Sequence, residues 1–300
     1  MKKIEKLMYA VFILGFGVSF LHATENKLLE KRVERAVTKA TTQVKPDLHD
    51  TAVVDMILKM EYAWKHPLND YSSTPKTNNK PCSAVRIDQN WLMASLKCRG
   101  VGDFATAFDH NGEPYIKEVK YRKVLHAKIR SKARHLRDTI PQRNIFVNED
   151  AQIILLRLDL SNKDLKEEVA DVKVAPLLIS QNPNTIIQRL YKAFINRERY
   201  MQVGRCSSCV GVEKYCSDTQ CYQTKGEWIL GDSSDPLFFV KQNQEFLVGF
   251  NNADIEGEDP LSSNLYRAFS SVTQEALSSI LREQDPAALK RIQSKMKSSL

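Results

Sequence analysis

Glycine and proline are scarce, at 11 each in 300 residues. No stretch repeats, and none is built from only a few residue types. Disordered, collagen-like and low-complexity classes are thereby excluded. Histidine is scarcer still, with six residues, so few side chains are ready to act as bases near neutral pH. Beyond residue 21 there is no long apolar run, and a helix needs about 20 such residues to cross a bilayer. What is present is an ordinary globular composition, 42% hydrophobic and 27% charged. The length suits one double-barrel β domain with extensions, or two small domains.

The start of the chain reads as an export signal over residues 1–23. Lys2, Lys3 and Lys6 form a basic opening, and Leu7 to Leu21 carries no charge. His22 and Ala23 then offer a small residue at a cleavage point. Leu21 is a mediocre residue at the third position before that cut, so an uncleaved N-terminal anchor is the competing reading. The lysine-rich start has a bacterial look, which implies a secreted or periplasmic protein. Net charge is +8; removing the leader's three lysines and one glutamate leaves +6. That permits attraction to acidic partners without specifying one.

Residues 24–62 read as helical. Leu28, Leu29, Val33, Ala36, Val37 and Ala40 recur at spacings of three and four, and Ala52 to Trp64 continues the pattern. Pro67 and the polar stretch Asn69 to Lys80 read as a linker, which closes an N-terminal extension over 24–80. From Cys82 the texture becomes β-like. Short apolar runs at Ser83–Ile87, Trp91–Ala94, Tyr115–Ile129, Ile153–Leu158, Tyr200–Val203, Leu237–Val240 and Glu245–Phe250 are separated by turn residues. A helix over Leu265–Leu281 and a charged tail are expected to close the chain.

The segment Cys82-Ser-Ala-Val-Arg-Ile-Asp-Gln-Asn-Trp91-Leu-Met-Ala-Ser-Leu-Lys97-Cys98 resembles the trypsin/chymotrypsin family of serine proteases. There, two cysteines at this spacing flank a strand pair, a Trp and the catalytic His. Here the position before the second cysteine holds Lys97. Downstream, Gly231-Asp232-Ser233-Ser234-Asp235-Pro236 resembles the family's Gly-Asp-Ser-Gly-Gly-Pro. Gln152-Ile-Ile-Leu-Leu-Arg-Leu158 resembles the strand that begins with the catalytic Asp, and Phe246-Leu-Val-Gly-Phe250 resembles the substrate-binding strand.

The resemblance implies an all-β, chymotrypsin-like double β-barrel over 81–300, with the N-terminal helical extension before it and a helix at its C-terminal end. It implies Ser233 as nucleophile, Lys97 and Gln152 at the base and orienting positions, and Gly231 and Ser233 as oxyanion-hole donors. Asp232 would meet a new N-terminus on activation. Glu227 and Phe250 would fall at the specificity pocket, Glu227 being equally readable as an ordinary loop glutamate. Cys82 and Cys98 would be paired. Ser234 and Asp235 replace two glycines, which changes the loop. Asp150 could replace Gln152 as the acid only if the strand register slips. No activation cleavage sequence precedes Cys82.

Those substitutions bear directly on acyl transfer, which needs a base near neutrality, a group to orient it and donors for the oxyanion. An ordinary lysine, with a pKa of about 10.4, is an ammonium at neutral pH and cannot take the serine proton. Burial can depress a lysine by up to about 3–5 units, and Ser–Lys pairs do hydrolyse substrates on other folds. Gln152 is neutral and cannot stabilise a cation. Loss of the orienting carboxylate alone costs about 10⁴ in rate.

The expected function is therefore an exported, catalytically degenerate protease homologue that binds or regulates a protein or peptide. A serine endopeptidase using Ser233 with Lys97 as an atypical base is the alternative. No cofactor or resident metal is expected. Of the histidines, His22 leaves with the leader, His49 and His66 precede the β region, and His110, His126 and His135 read as surface residues.

Two further clusters stand out. Cys206, Cys209, Cys216 and Cys221 read either as a four-thiolate zinc site or as two local disulfides. The export signal favours disulfides, with three pairings open. Lys117 to Arg137 carries nine Lys or Arg and one acid, Glu118. It reads as a solvated face or as a polyanion surface; no sequence-specific nucleic-acid motif accompanies it.

Overall fold

A computed structural model of the chain describes residues 52–66, 73–100, 104–109, 111–129, 138–179, 190–196, 202–206, 211–216, 221–225, 235–241, 244–251 and 263–296. Among these residues the strands form one eight-stranded and one seven-stranded sheet. The first contains β1 (Val53–Lys65), β2 (Lys76–Asp88), β3 (Trp91–Ser95), β4 (Phe104–Phe108), β5 (Pro114–Ile129), β6 (Asp138–Pro141), β7 (Ile145–Asn148) and β8 (Ile153–Arg157). The second contains β9 (Leu190–Asn196), β10 (Gln202–Cys206), β11 (Gly211–Cys216), β12 (Cys221–Lys225), β13 (Pro236–Lys241), β14 (Gln244–Asn251) and β15 (Ser263–Ala268). Three helices are described: α1 (Lys163–Glu168), α2 (Ser271–Gln284) and α3 (Pro286–Lys295).

The first sheet closes on itself. β1 pairs with β2, β2 with β3, β3 with β8 and β8 with β7. β7 continues back into β6 through a single 3-10 turn, Gln142–Asn144; β6 pairs with β5, and β5 returns to β1. Taking β6 and β7 as one bent strand and leaving out the edge strand β4, the ring runs first, second, third, sixth, fifth, fourth. The second sheet follows β10-β9-β13-β14-β15-β12-β11. Setting aside β11, that is the same cyclic order, cut between its second and third strands. This is the all-β, chymotrypsin-like double-barrel arrangement with C-terminal helices that the motifs imply.

Side-chain alternation explains why several strands read as unbroken apolar runs. Leu92, Ala94, Ile154 and Leu156 face the interior of the first barrel with Met56, Leu58 and Met60. Their neighbours Trp91, Met93, Ile153 and Leu155 face the opposite way, into a cluster shared with Phe238, Leu247 and Phe250 of the second sheet and with α2 and α3. In the second sheet Leu237, Phe239, Phe246 and Val248 turn inward. Strands buried on both faces lose the polar half of the alternation. The chain between the sheets is hydrogen-bonded to both: Ala175 N–H donates to Arg86 O (2.8 Å), and Leu178 N–H to Leu247 O (3.0 Å).

Three sequence expectations need correction. The helical reading of Ala52–Trp64 is overturned, because Val53–Lys65 is the strand β1. Met56, Leu58 and Met60 are buried while Ile57, Lys59 and Glu61, each the next residue along, are not, a period of two. Because β1 and β2 belong to the first sheet, the β domain begins before residue 81, and 76–80 is strand rather than linker. The rest of the proposed extension, 24–51, and the leader lie outside the described residues. Finally, Ser263–Ala268 is the strand β15, and the helix begins only at Ser271. Ser270 and Thr273 form a capping box there. The charged tail contains α3, with Pro286 in its first turn.

The C-terminal helices are bound to the first barrel by polar side chains. The Trp91 indole N–H donates to the Asp285 carboxylate (3.1 Å), which also caps α3 by accepting the Ala288 N–H (2.9 Å). Arg291 grips Asp88, Nη2 to Oδ2 at 2.6 Å and Nε to Oδ1 at 3.1 Å, and the Asp88 side chain is 2% exposed. Burial works against the charge on Asp285. The Ala288 amide, the Trp91 indole and the charge of Arg291 outweigh it, so the carboxyl titrates below its usual range.

Candidate functional site

The two triad-equivalent positions in the described residues sit at the ends of adjacent paired strands. β3 ends at Ser95 and runs into a 3-10 turn, Leu96–Arg99, that carries Lys97. Ser95 starts this turn, its hydroxyl accepting the Lys97 N–H (3.2 Å). Gly100 ends it with φ +61, a left-handed conformation suited to glycine, and donates to Lys97 O (2.9 Å). A disulfide from Cys98 to Cys82 ties the turn to β2, with the Cα atoms 5.3 Å apart.

Gln152 stands immediately before β8. Its backbone is left-handed, φ 56, at the end of a compact turn. Asn148 Oδ1 accepts the Ala151 N–H (2.8 Å), and Glu149 O accepts the Gln152 N–H (3.2 Å). The Gln152 side-chain amide also donates to Glu149 O (2.6 Å), so one of its two N–H donors is engaged by its own turn. Two links join this turn to that of Lys97: Leu96 N–H donates to Gln152 O (2.9 Å), and Arg99 clasps Glu149 with both guanidinium nitrogens, Nη2 to Oε2 at 2.9 Å. Bidentate pairs of this kind fix orientation as well as distance.

Lys97, Gln152, Phe250, Asn251, Arg267 and Thr273 border one small cavity of about 10 Å³, the size of a single water. Neither a carboxylate nor an imidazole occurs among the described residues that line it. Asp150 is not brought to the position of Gln152. The register is unslipped, with Ser95 opposite Ile153, and Asp150 is exposed, offering only its carbonyl to Arg267 Nη2 (3.0 Å). Phe250, expected at a specificity pocket, is 3% exposed and packs edge-on against Phe269 at 5.8 Å.

Gly231, Asp232, Ser233, Ser234 and Glu227 lie outside the described residues. The segment that follows Ser233 does come to this place: Asp235 is buried, and its carbonyl accepts the N–H of Asn251 (2.8 Å). In the strand expected to bind substrate, a Cβ built at Gly249 would overlap the Arg267 carbonyl, so glycine is required where β14 meets β15. Arg267, Asn251 and Thr273 were not foreseen as site residues. No motif marks them, and each arrives from an element remote in sequence from Lys97.

The described histidines are elsewhere. His66 packs on Tyr115 at 4.5 Å. His126 lies across from Lys59, and burial followed by the charges of Lys128 and Lys59 holds its imidazole below the ordinary value. Of the basic segment, 117–129 is in β5 and 130–137 lies outside the described residues. Lys117 lies over the Trp64 ring (4.8 Å), and Glu118 pairs with Lys65 (3.0 Å). Among the described residues no group of three or more His, Cys, Asp or Glu is placed to hold a metal. Cys206 lies on β10, Cys209 is outside the described residues, and Cys216 stands opposite Cys221 in the β11–β12 register.

No protein-family model and no curated protein matches the chain. Among solved structures it is similar to a thermostable serine protease from an extremophilic microorganism, 10% identical over 75% of this chain and 95% of that one, TM-score 0.43. It is similar also to the protease Anisep from Arthrobacter nicotinovorans, 12% identical over 76% and 96%, TM-score 0.43. A third is an inactivated protease paralogue of the scabies mite, 11% identical over 76% and 94%, TM-score 0.40. These are likenesses of fold at low identity.

Proposed function

We propose that this chain is an exported serine-protease homologue that has lost triad chemistry and acts as a binding or regulatory module for a protein or peptide. One observation carries the reading. Lys97 and Gln152, at the positions of base and orienting acid, are brought side by side on paired strands, so an amine and a neutral amide stand where the chemistry needs an imidazole and a carboxylate, and a second cation, Arg267, borders the same cavity. Gln152 is neutral and, donating to Glu149 O, is held in its own turn, so it does not supply the charge that an orienting carboxylate would. A serine beside such a pair keeps its proton at neutral pH.

The test is labelling of the purified mature protein with a fluorophosphonate probe across roughly pH 6–10, the range in which an active base would titrate. No labelling of Ser233 is expected. Stoichiometric labelling that disappears in both Ser233→Ala and Lys97→Ala would establish the Ser–Lys endopeptidase instead.

A further inference from the structure

The strand β4 is the end of the first sheet's path. It pairs with β5 from Phe104↔Glu118 to Phe108↔Pro114, and among the described residues nothing pairs with its other side. Natural edge strands are usually blunted by lysine, proline, a bulge or a covering element. Phe104-Ala-Thr-Ala-Phe108 has no charge and no proline, and its register to β5 is unbroken. Thr106 and Phe108 are exposed, Phe108 at 67%, and Ile116 beside them is 59% exposed. An apolar, uncharged edge of this kind is a template for another strand.

The sequence of the edge says which strand. Residues 103–109, Asp-Phe-Ala-Thr-Ala-Phe-Asp, read the same in both directions about Thr106. We propose that two copies of this chain pair β4 to β4, antiparallel, about a twofold axis at Thr106. In that register Phe104 of one copy lies opposite Phe108 of the second, Ala105 opposite Ala107, and Thr106 opposite Thr106. Aromatic–aromatic and Thr–Thr are favourable cross-strand pairs.

A shift of two residues leaves only three positions overlapping and sets Phe108 against Thr106. A partner's extended peptide gains nothing from a palindrome, whereas an isologous twofold contact requires self-complementarity. The register sets Asp109 opposite Asp103 of the second copy, and the cost of that like-charge pair is lessened because the Asp109 carboxylate is turned into its own loop, accepting the N–H groups of Asn111 (2.8 Å) and Glu113 (2.9 Å). The result is a sheet continuous across the axis, β5-β4-β4-β5, in which Thr106 and Phe108 gain cross-strand neighbours.

The register makes the test specific. Directly opposed residues in antiparallel strands have Cα atoms about 4.5–5.5 Å apart, within disulfide range; diagonal ones are about 7–8 Å apart. Thr106→Cys is expected to give a disulfide-linked dimer on a non-reducing gel. Ala107→Cys, whose opposite residue is Ala105, is expected to give none. Sedimentation of the unmodified protein is expected to show twice the mass of one chain. Thr106→Lys, an exposed change that sets two lysines face to face, is expected to return it to a monomer. A monomeric wild type, a dimer that survives Thr106→Lys, or equal cross-linking at both cysteines would each overturn the proposal.

Discussion

The two barrels share a cyclic strand order but hold it by different means. The first is a closed ring of paired strands, stapled by the Cys82–Cys98 disulfide and by the Arg99–Glu149 fork. The helices α2 and α3 are fastened to it through Trp91–Asp285 and Asp88–Arg291. In the second, the described path ends at β10 on one side and β11 on the other, and its described interior is the apolar set around Phe239, Phe246 and Tyr266. Lys97 and Gln152 stand on the stapled barrel. Their geometry is therefore maintained by contacts that do not depend on catalysis.

The largest expected effect comes from breaking what the barrels share. Trp91 is fully buried and its ring packs on Phe146 at 5.6 Å. Trp91→Ala should cost about 3–5 kcal/mol and still give one unfolding transition in urea, because the cluster it leaves spans both sheets and the helices. Two separate transitions would break the comparison and make the barrels independent units. Next comes the staple: replacing Cys82 and Cys98 together by serine should cost about 3 kcal/mol, from a closed loop of about 15 residues. An unchanged urea midpoint would show that the first ring does not need it.

The smallest effect sharpens the role of the helices. Asp285→Ala removes the cap of α3 and the acceptor for Trp91, and should cost about 1 kcal/mol near neutral pH. The folded carboxyl titrates below its unfolded value. Its contribution is thus complete above that unfolded value of about 3.9 and is lost as pH falls through the folded one. The gap between wild type and variant should close in acid, as read by denaturation at a series of pH values below about 4. A gap that widened in acid would contradict that sign.

Much of the fold was legible where burial on both faces left an unmistakable pattern. β3, β8, β13 and β14 read as strands because barrel and interface claim alternate side chains. β1 was misread because Val53, Val54, Met56, Ile57 and Met60 satisfy spacings of three and four as well as two. Nothing in the sequence shows that Ala63 and Tyr121 are partners across a bulged ladder. β15 was absorbed into the helix that follows it, since the capping box at Ser270 and Thr273 was not recognised as the start. At the site, the spacing of Cys82, Trp91 and Cys98 located Lys97, and the apolar run after it located Gln152. Arg267, Asn251 and Thr273 could not be found that way. Their presence at the cavity follows from how β14, β15 and α2 fold back on the first sheet, a long-range outcome that no local motif encodes.

The contacts of Asp88 and Trp91 carry a consequence for synthesis. Both belong to the first third of the chain, yet one is neutralised by Arg291 and the other bonded by Asp285. A chain made or translocated N-terminus first therefore carries a buried-to-be carboxylate without its counter-charge until Arg291 emerges. The first barrel is made before the helices α2 and α3 that complete its contacts, so its completion waits on them.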